Sequence, residues 1–114
     1  MFLLDKVLKI SLLYDFYGAL LTAKQQTSLE LHYFQDLSLS EIAEQLEISR
    51  QAVYDLLKRA EQILDEHEEK LQLVARYHEE RQLLREVFNL LDQRRLDDNP
   101  QVQEAKTKLK RLIN

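Results

Sequence analysis

The sequence predicts an all-α protein, with a helix-turn-helix domain followed by a C-terminal helical extension. Only one glycine and one proline occur in 114 residues, whereas strand-rich folds and phosphate-binding loops usually need several glycines at positive φ. Apolar residues recur at spacings of three and four along most of the chain, which is the period of an amphipathic helix. This length is sufficient for one domain with an additional helical arm.

Composition limits the class of protein further. The chain is 45% hydrophobic and 32% charged, too apolar for a disordered chain and too charged for a membrane protein. No run approaches the roughly 18 to 20 apolar residues that span a bilayer, so we expect no membrane binding, no signal sequence and a cytoplasmic location. Because the chain has no cysteine, disulfides, thiolate nucleophiles and zinc–cysteine sites are excluded.

The first two helices are predicted at residues 2–20 and from Ala23 to about Phe34. Thr22 and Gln25 fit a capping box, in which each side chain accepts from the other residue's backbone N–H, at the start of the second helix. Its predicted inward residues are Gln26, Leu29 and Tyr33. The predicted buried stripe of the first helix has two polar interruptions and consists of Leu4, Val7, Leu8, Ser11, Leu12, Asp15, Phe16 and Ala19.

Two helices joined by a tight turn are predicted next. Ser38 and Glu41 repeat the capping-box pattern and start a third helix, from Leu39 to about Leu46. Ser49 is a suitable N-cap for the fourth helix. The apolar side of the fourth helix carries Val53, Leu56, Leu57 and Ala60. Its other side carries Arg50, Gln51, Tyr54, Asp55 and Lys58.

The fourth helix must bend or break before the chain ends. A straight helix from Arg50 to residue 96 would be about 70 Å long, which exceeds the width of a domain of this size. We predict the break in the most polar stretch, "DEHEEK" at 65–70. A further helix over residues 71–91 follows, and Asn99 as N-cap with Pro100 as first helical residue opens the last helix.

Residues 38–60 meet three requirements of a helix-turn-helix motif. These are a small residue where the helices cross, a short turn, and apolar residues that fix the second helix. Ala43, the turn 47–49, and Val53 with Leu56 supply them. Glu47 stands where glycine is common, and a left-handed conformation there would cost about 1 kcal/mol, which a packed core can absorb. An ordinary helical hairpin is the alternative interpretation.

Residues 10–75 resemble two known families. "LLTAKQQTSLELHYFQDLSLSEIAEQLEISRQAVYDLLKRAEQIL" resembles DNA-binding region 4 of bacterial sigma factors, which implies a helix-turn-helix without the wing of winged-helix proteins. "DFYGALLTAKQQ", "SLSEIAEQLEISRQAVYD" and "KLQL" resemble the YlxM family of small bacterial proteins, whose genes adjoin those of the signal recognition particle. The resemblance implies a recognition helix that begins at Ser49, with Arg50, Gln51, Tyr54 and Lys58 as candidate nucleic-acid contacts.

Each candidate side chain suits a contact with nucleic acid. Arg50 can bind a phosphate or a guanine, and Gln51 can read an adenine. Tyr54 can touch a thymine methyl group or a sugar, and Lys58 can meet the phosphate backbone.

The charge of the motif argues against strong DNA binding by a single copy. Residues 38–60 carry four acidic and three basic side chains, whereas neutralising phosphates supplies most of the affinity for duplexes. Asp55 would repel phosphate unless it accepts from a cytosine or pairs with Lys58 or Arg59. A dimer would double the contacts of Arg50, Lys58 and Arg59, or a partner could supply a basic surface.

Two charged segments lie outside the motif. We interpret the acidic segment 61–69 as a solvated helix face, and alternatively as a docking surface for a basic protein or a screen against nonspecific nucleic acid. In the basic tail, Lys106 and Lys110 share one helix side, with Lys108 and Arg111 nearby. We favour a role in covering a core over contact with RNA phosphates.

The second half of the chain is too apolar for one exposed helix. Its apolar residues include Leu71, Val74, Leu84, Val87, Phe88 and Leu91. The N-terminal helix, the last helix or a second copy must cover them. We favour a homodimer, since bacterial groove-reading proteins commonly pair about a twofold axis, and a monomer folded on itself is the alternative. We therefore assign residues 1–64 to the helix-turn-helix domain and 65–114 to a dimerisation arm.

No catalytic, cofactor or metal site is predicted. His67 and His78 lie eleven residues apart, about 16 Å along a straight helix, so they cannot share a metal ion within one chain. His32 is interpreted as a helix-face or core residue, and the sequence contains no hydrolase, P-loop or dinucleotide fingerprint.

Two functions remain open. In the first, the protein is a regulator that places the helix beginning at Ser49 in the major groove of DNA. In the second, which rests on the family resemblance alone, it is an accessory module that binds the RNA or the proteins of the signal recognition particle.

Overall fold

The computed structural model describes residues 2–93 and 99–113, all of which fall in helices or short connections. The α-helices are α1 (Phe2–Tyr17), α2 (Ala23–Leu29), α3 (Leu39–Leu46), α4 (Arg50–Leu71), α5 (Leu73–Gln93) and α6 (Pro100–Ile113). A 3-10 turn, Gly18–Leu20, follows α1, and a π-helical segment, Glu30–Phe34, continues α2. The prediction of an all-α fold is confirmed, with no strand in the described ranges.

Two compact units divide the chain, residues 1–74 and residues 75–114. The first unit contains α1 to α4 and a continuous hydrophobic core. This core is centred on Ile10, Leu13, Tyr17, Leu29, Ile42, Val53, Leu57, Ala60 and Leu64. Because α4 contributes four buried residues along its length, it is the element against which the other helices of this unit pack.

The buried face of α1 differs from the predicted stripe. Ile10, Leu13 and Tyr17 are buried, whereas Leu8 and Phe16 of the predicted stripe are exposed, as are Asp15 and Ala19. The side chain of Leu4 lies outside the described part of the chain. The prediction was wrong because α1 is apolar on nearly all sides, so spacing alone does not select one face.

The predicted N-caps Thr22, Ser38 and Asn99 start helices as expected. The Thr22–Gln25 and Ser38–Glu41 capping boxes both form, with Gln25 N donating to Thr22 Oγ1 at 3.2 Å and Glu41 N donating to Ser38 Oγ at 3.1 Å. Hydrogen bonds from Ser38 also lower the pKa of Glu41. The Asn99 side chain accepts from Gln101 N at 2.9 Å and starts α6. Asp97 and Asp98, in the predicted break before α6, lie outside the described residues.

The π-helical segment changes which residues face the core after α2. Leu29 is buried, Tyr33 packs against the core, and Gln26 Nε2 donates to Gly18 O at 2.8 Å, so the three predicted inward residues are confirmed. Leu31 is also buried, which the sequence did not indicate. A π turn contains an additional residue, so the α-helical period no longer applies beyond Glu30.

The turn between α3 and α4 has the geometry of a Schellman C-cap. Ile48 N donates to Ala43 O at 3.1 Å and Glu47 N donates to Glu44 O at 3.3 Å, the paired bonds of this motif. Glu47 has φ 58° and ψ 41°, the predicted left-handed conformation. The side chain of Ile48 then packs against the core, which fixes the direction in which α4 begins.

We expect Glu47→Gly to raise the free energy of unfolding by about 1 kcal/mol, because glycine adopts a left-handed conformation without steric cost. Urea denaturation measures the change. Glu44→Gly, in the interior of α3, is the matched control and should lower stability by about 1 kcal/mol. Equal losses in the two variants would contradict the account of the turn.

The break after α4 lies at Gln72, beyond the predicted segment 65–70. α4 continues to Leu71, and Gln72 is left-handed with φ 55°. Tyr17 Oη donates to Glu68 Oε1 at 2.6 Å and accepts from Leu73 N at 3.1 Å, while Glu68 Oε1 also accepts from Val74 N at 3.0 Å. Burial and the hydrogen bond to Glu68 raise the pKa of Tyr17. These bonds satisfy the first backbone donors of α5.

The second unit is a pair of helices without a fully buried residue among those described. Lys106 Nζ lies 2.7 Å from Asp92 Oδ1, and the ammonium groups of Lys106 and Lys110 lie 5.7 and 6.0 Å from the centroid of the Phe88 ring. Arg81 donates to the carbonyl oxygens of Leu112 and Ile113 at the end of α6. These contacts favour the interpretation that the basic tail covers α5.

Candidate nucleic-acid interface

The helix-turn-helix is held by a small set of buried residues from α3 and α4. Ile42 and Val53 are fully buried, and Ala43 is 9% exposed. Leu57, which the sequence also placed on the apolar side of α4, is 5% exposed, whereas Leu56 is only half-buried. The predicted packing of Ala43 and Val53 is therefore confirmed, and Leu57 fixes α4 in the core more than Leu56 does.

One side of the first half of α4 is exposed. It carries Arg50, Gln51, Tyr54 and Lys58, which we call the exposed α4 face. Tyr54 has 47% of its surface exposed. Because Val53 and Leu57 anchor the opposite side of the helix in the core, this face is available to a ligand without any rearrangement of the fold.

Ser49 has a structural role at the start of this helix. Its Oγ accepts from Ala52 N at 3.0 Å, so the residue is the N-cap of α4, as predicted. The hydroxyl group retains a proton that it can donate to a phosphate. Ser49 thus lies at the end of the exposed α4 face, next to Arg50.

Part of the exposed α4 face is concave. Leu39, Arg50, Gln51 and Tyr54 line a shallow depression of about 410 Å³. Leu39, the first residue of α3, was not among the predicted site residues. The capping box placed Leu39 at the start of α3. An apolar side chain at this position suggested packing against the core, which Leu39 also does, and gave no sign of a surface contact.

Two contacts arrange the side chains of this face. Gln51 Nε2 donates to Asp55 Oδ1 at 3.1 Å, and Lys58 Nζ lies 5.7 Å from the centroid of the Tyr54 ring. The sequence indicated that Asp55 repels phosphate unless it accepts from a cytosine or pairs with Lys58 or Arg59. Within the described residues, its hydrogen bond is made instead to the glutamine one turn earlier.

Arg59 lies on a different side of α4 from Arg50. The two residues are nine positions apart, which corresponds to about 180° around the helix and roughly 13 Å along it. Both are exposed, and neither makes an ion pair within the described residues. Arg50 therefore lies at one edge of the exposed α4 face, and Arg59 lies beyond its other edge.

Ion pairs partly account for the acidic segment after the motif. Lys6 Nζ lies 3.2 Å from Glu61 Oε1, and Lys9 Nζ lies 3.5 Å from Asp65 Oδ1. Both pairs connect α1 to α4 and are partly or largely exposed, so each contributes little to stability. They reduce the negative charge beside the exposed α4 face, which the sequence alone did not reveal.

A second groove of about 440 Å³ adjoins the face. It shares Leu39 and Tyr54 with the shallow depression, and its other lining residues include Lys6, His32, Tyr33, Leu57 and Lys58. Lysines and carboxylates both line it, so its charge selects no ligand class.

The histidines do not converge on a metal or catalytic centre. His32 Nδ1 lies 2.9 Å from Leu37 O, and His67 Nδ1 lies 2.7 Å from Ile63 O. Among the described residues, no group of three or more histidine or carboxylate side chains is arranged to hold a metal ion. None of the described helices has the length and apolar character needed to cross a bilayer.

The fold and this face define the class: the protein is a helix-turn-helix protein. Residues 4–108 match the family model described as "UPF0122: Putative helix-turn-helix protein, YlxM / p13 like". The chain belongs to this family, which confirms the resemblance to the YlxM family.

Relatives from several bacteria cover most of the chain. A UPF0122 protein of Desulforamulus reducens is 51% identical over 106 residues, which are 92% of this chain and 91% of the relative. Another, from Halalkalibacterium halodurans, is 47% identical over 90 residues, 79% of this chain and 83% of the relative. A UPF0122 protein of Bacillus pumilus is 42% identical over 109 residues, 96% of this chain and 94% of the relative.

Proposed function

We propose that the protein is a nucleic-acid-binding regulator that places the first half of α4 in the major groove of DNA. The observation that carries this proposal is the exposure of Arg50, Gln51, Tyr54 and Lys58 on one side of a helix whose other side is anchored in the core. Helix-turn-helix proteins present their second helix in this way.

The flanking residues fit contacts with the two phosphate backbones. Arg50 and Arg59 lie on opposite sides of α4, so a helix lying in the major groove turns these two side chains toward its two walls. In this arrangement Gln51 and Tyr54 read base edges, while Arg50, Lys58, Arg59 and Ser49 contact phosphates. Phosphate contacts position the helix, and base contacts give sequence preference.

Selection from a pool of randomised DNA duplexes tests this proposal. We expect the full chain to enrich one sequence motif and its affinity for the selected duplex to fall as salt rises. About three cationic phosphate contacts, from Arg50, Lys58 and Arg59, predict a slope near −2.7 for each bound copy in a plot of log affinity against log salt concentration, because each contact releases about 0.9 counterion. Enrichment of no sequence, together with affinity that does not change with salt, would overturn the proposal.

A second candidate function follows from the charge of the motif. Residues 38–60 carry four acidic and three basic side chains, which suits a scaffold that contacts protein better than an independent reader of nucleic acid. Under this alternative the protein is an accessory module of the signal recognition particle and binds its RNA or its proteins. Recovery of that particle with the native protein from cells, unaffected by Arg50→Ala and Gln51→Ala, would favour this alternative.

We further propose that the second unit mediates a homodimer. Leu83, Val87 and Leu90 are 53%, 45% and 61% exposed and recur at spacings of four and three along α5, so they form one apolar stripe. A pair of helices without a buried core is marginal by itself. A second copy would cover this stripe and double the number of cations offered to DNA.

Sedimentation analysis tests the dimer. We expect Leu83→Glu with Leu90→Glu to convert the dimer to a monomer, because four charges would be brought into the proposed interface. Leu8→Glu is the matched control, since Leu8 is 57% exposed on α1 in the other unit. If Leu8→Glu dissociates the dimer and the α5 substitutions do not, the interface lies on α1 and this proposal is wrong.

We also infer that the protein acts without catalysis or a cofactor, in the cytoplasm. Membership of a family described as "Putative helix-turn-helix protein" supports the first inference. The proposed binding to bacterial DNA or to a ribonucleoprotein supports the inferred cytoplasmic location.

A further inference from the structure

The hydrogen bond between Gln51 and Asp55 determines how the Gln51 amide is oriented. Gln51 Nε2 lies 3.1 Å from Asp55 Oδ1. An ionised carboxylate can only accept hydrogen bonds, so the NH₂ group of the amide must face it, and the opposite orientation would place two acceptors together. Both residues are exposed on α4, where they are accessible to DNA.

An amide held in this way retains one N–H donor and its oxygen acceptor for a ligand. Adenine presents a donor, its N6 amino group, next to an acceptor, N7, in the major groove, and this pair matches an amide oxygen and one N–H. Guanine presents two acceptors, N7 and O6, and would require two donors. The bond to Asp55 has already used one of the two N–H groups.

We propose that Asp55 is a positioning residue that restricts Gln51 to the recognition of adenine. This inference rests on the proposed function, because it concerns the same face of α4. Asp55 does not contact the base itself. Its negative charge repels phosphate and therefore lowers the affinity for every duplex, while its hydrogen bond to Gln51 raises the preference for one base.

The two effects of Asp55 have opposite signs, which makes the inference testable. Asp55→Ala should bind a random-sequence duplex more tightly than the wild-type protein, since a repulsive charge is removed. The same variant should lose discrimination between adenine and guanine at the position that Gln51 reads. If Asp55 were only an unfavourable charge, its removal would strengthen binding to all duplexes equally and leave discrimination unchanged.

The experiment uses the full chain and the duplex selected from the randomised pool. Affinity is measured by fluorescence anisotropy for that duplex, for the same duplex with each adenine replaced in turn by guanine, and for a random-sequence duplex. We expect the wild-type protein to discriminate roughly tenfold or more at one adenine. Gln51→Ala should reduce this ratio to near one, and Asp55→Ala should reduce it severalfold while tightening random-duplex binding.

Three further variants separate positioning from charge. Asp55→Asn removes the charge but keeps an acceptor oxygen, so it should retain more discrimination than Asp55→Ala. Glu66→Ala removes one exposed carboxylate from the same helix away from Gln51 and should leave discrimination unchanged. In the double variant Gln51→Ala/Asp55→Ala, discrimination should equal that of Gln51→Ala alone, because Asp55 acts through Gln51.

The outcomes distinguish this inference from the proposed function. If the wild-type protein selects a duplex but Asp55→Ala keeps full discrimination, or Gln51→Ala changes no base preference, the inference is wrong and DNA binding stands. If no duplex is selected and no variant alters binding, both are wrong.

Discussion

Replacing Leu57 by alanine should lower the free energy of unfolding by about 3 kcal/mol, one of the large effects expected of a single substitution in the motif. Leu57 is 5% exposed and lies within the continuous core of the first unit. Removing a buried leucine side chain costs the transfer free energy of the lost atoms and that of the cavity left behind, which together amount to roughly 2 to 5 kcal/mol.

Leu56→Ala is the matched control for this prediction. The two leucines are adjacent in α4, but Leu56 is only half-buried, so its loss should cost about 1 kcal/mol. Urea denaturation at one fixed protein concentration measures both variants, since a dimer makes stability depend on concentration. A larger loss for Leu56→Ala than for Leu57→Ala would contradict the packing of α4 described above.

Arg50→Ala should weaken binding to the selected duplex by roughly tenfold to a hundredfold. A good bidentate contact from an arginine contributes about 1 to 3 kcal/mol. Its unfolding free energy should change by less than about 0.5 kcal/mol, since the side chain is exposed and away from the core. Anisotropy titrations and urea denaturation of the same preparation give the two quantities.

Arg76→Ala controls for the loss of a positive charge. Arg76 is exposed on α5 in the second unit, so its removal changes the net charge equally but leaves the exposed α4 face intact. We expect its effect on affinity to be less than about twofold at 0.15 M salt, where charges that make no contact with the duplex are largely screened. Equal losses for Arg50→Ala and Arg76→Ala would show that binding depends on net charge and not on this face.

Local features of the fold could be predicted from the sequence. The capping boxes depend on two side chains three residues apart, and both form as expected. The left-handed Glu47 follows from its position in the turn, where helix-turn-helix motifs commonly have glycine. The exposed α4 face follows from the helical period, because Val53 and Leu57 fix the buried side.

Features that depend on distant contacts could not be predicted in this way. The end of α4 at Gln72 is coupled to Tyr17, which bonds Glu68 and Leu73 across more than fifty positions of sequence. The buried face of α1 depends on which side meets α4, and an apolar helix offers several. The π-helical segment adds a residue that no periodic pattern anticipates, so Leu31 was missed.

The candidate site was predicted in its residues but not in its arrangement. Arg50, Gln51, Tyr54 and Lys58 lie on one side of α4, whereas Arg59 lies about 180° from Arg50. Asp55 was considered for its charge, and its hydrogen bond with Gln51 depends on side-chain rotamers that composition and spacing do not specify. Leu39 comes to the site from α3 only because the turn sets the angle between the two helices.

The most direct test of the central claim is to record the backbone amide NMR spectrum of the full chain during titration with the selected DNA duplex. If the exposed α4 face is the binding site, the largest shifts will fall on residues 49–59 and on the first turn of α3, with small changes in α6. Shifts confined to α5 and α6, or the absence of any shift at saturating duplex, would contradict the claim.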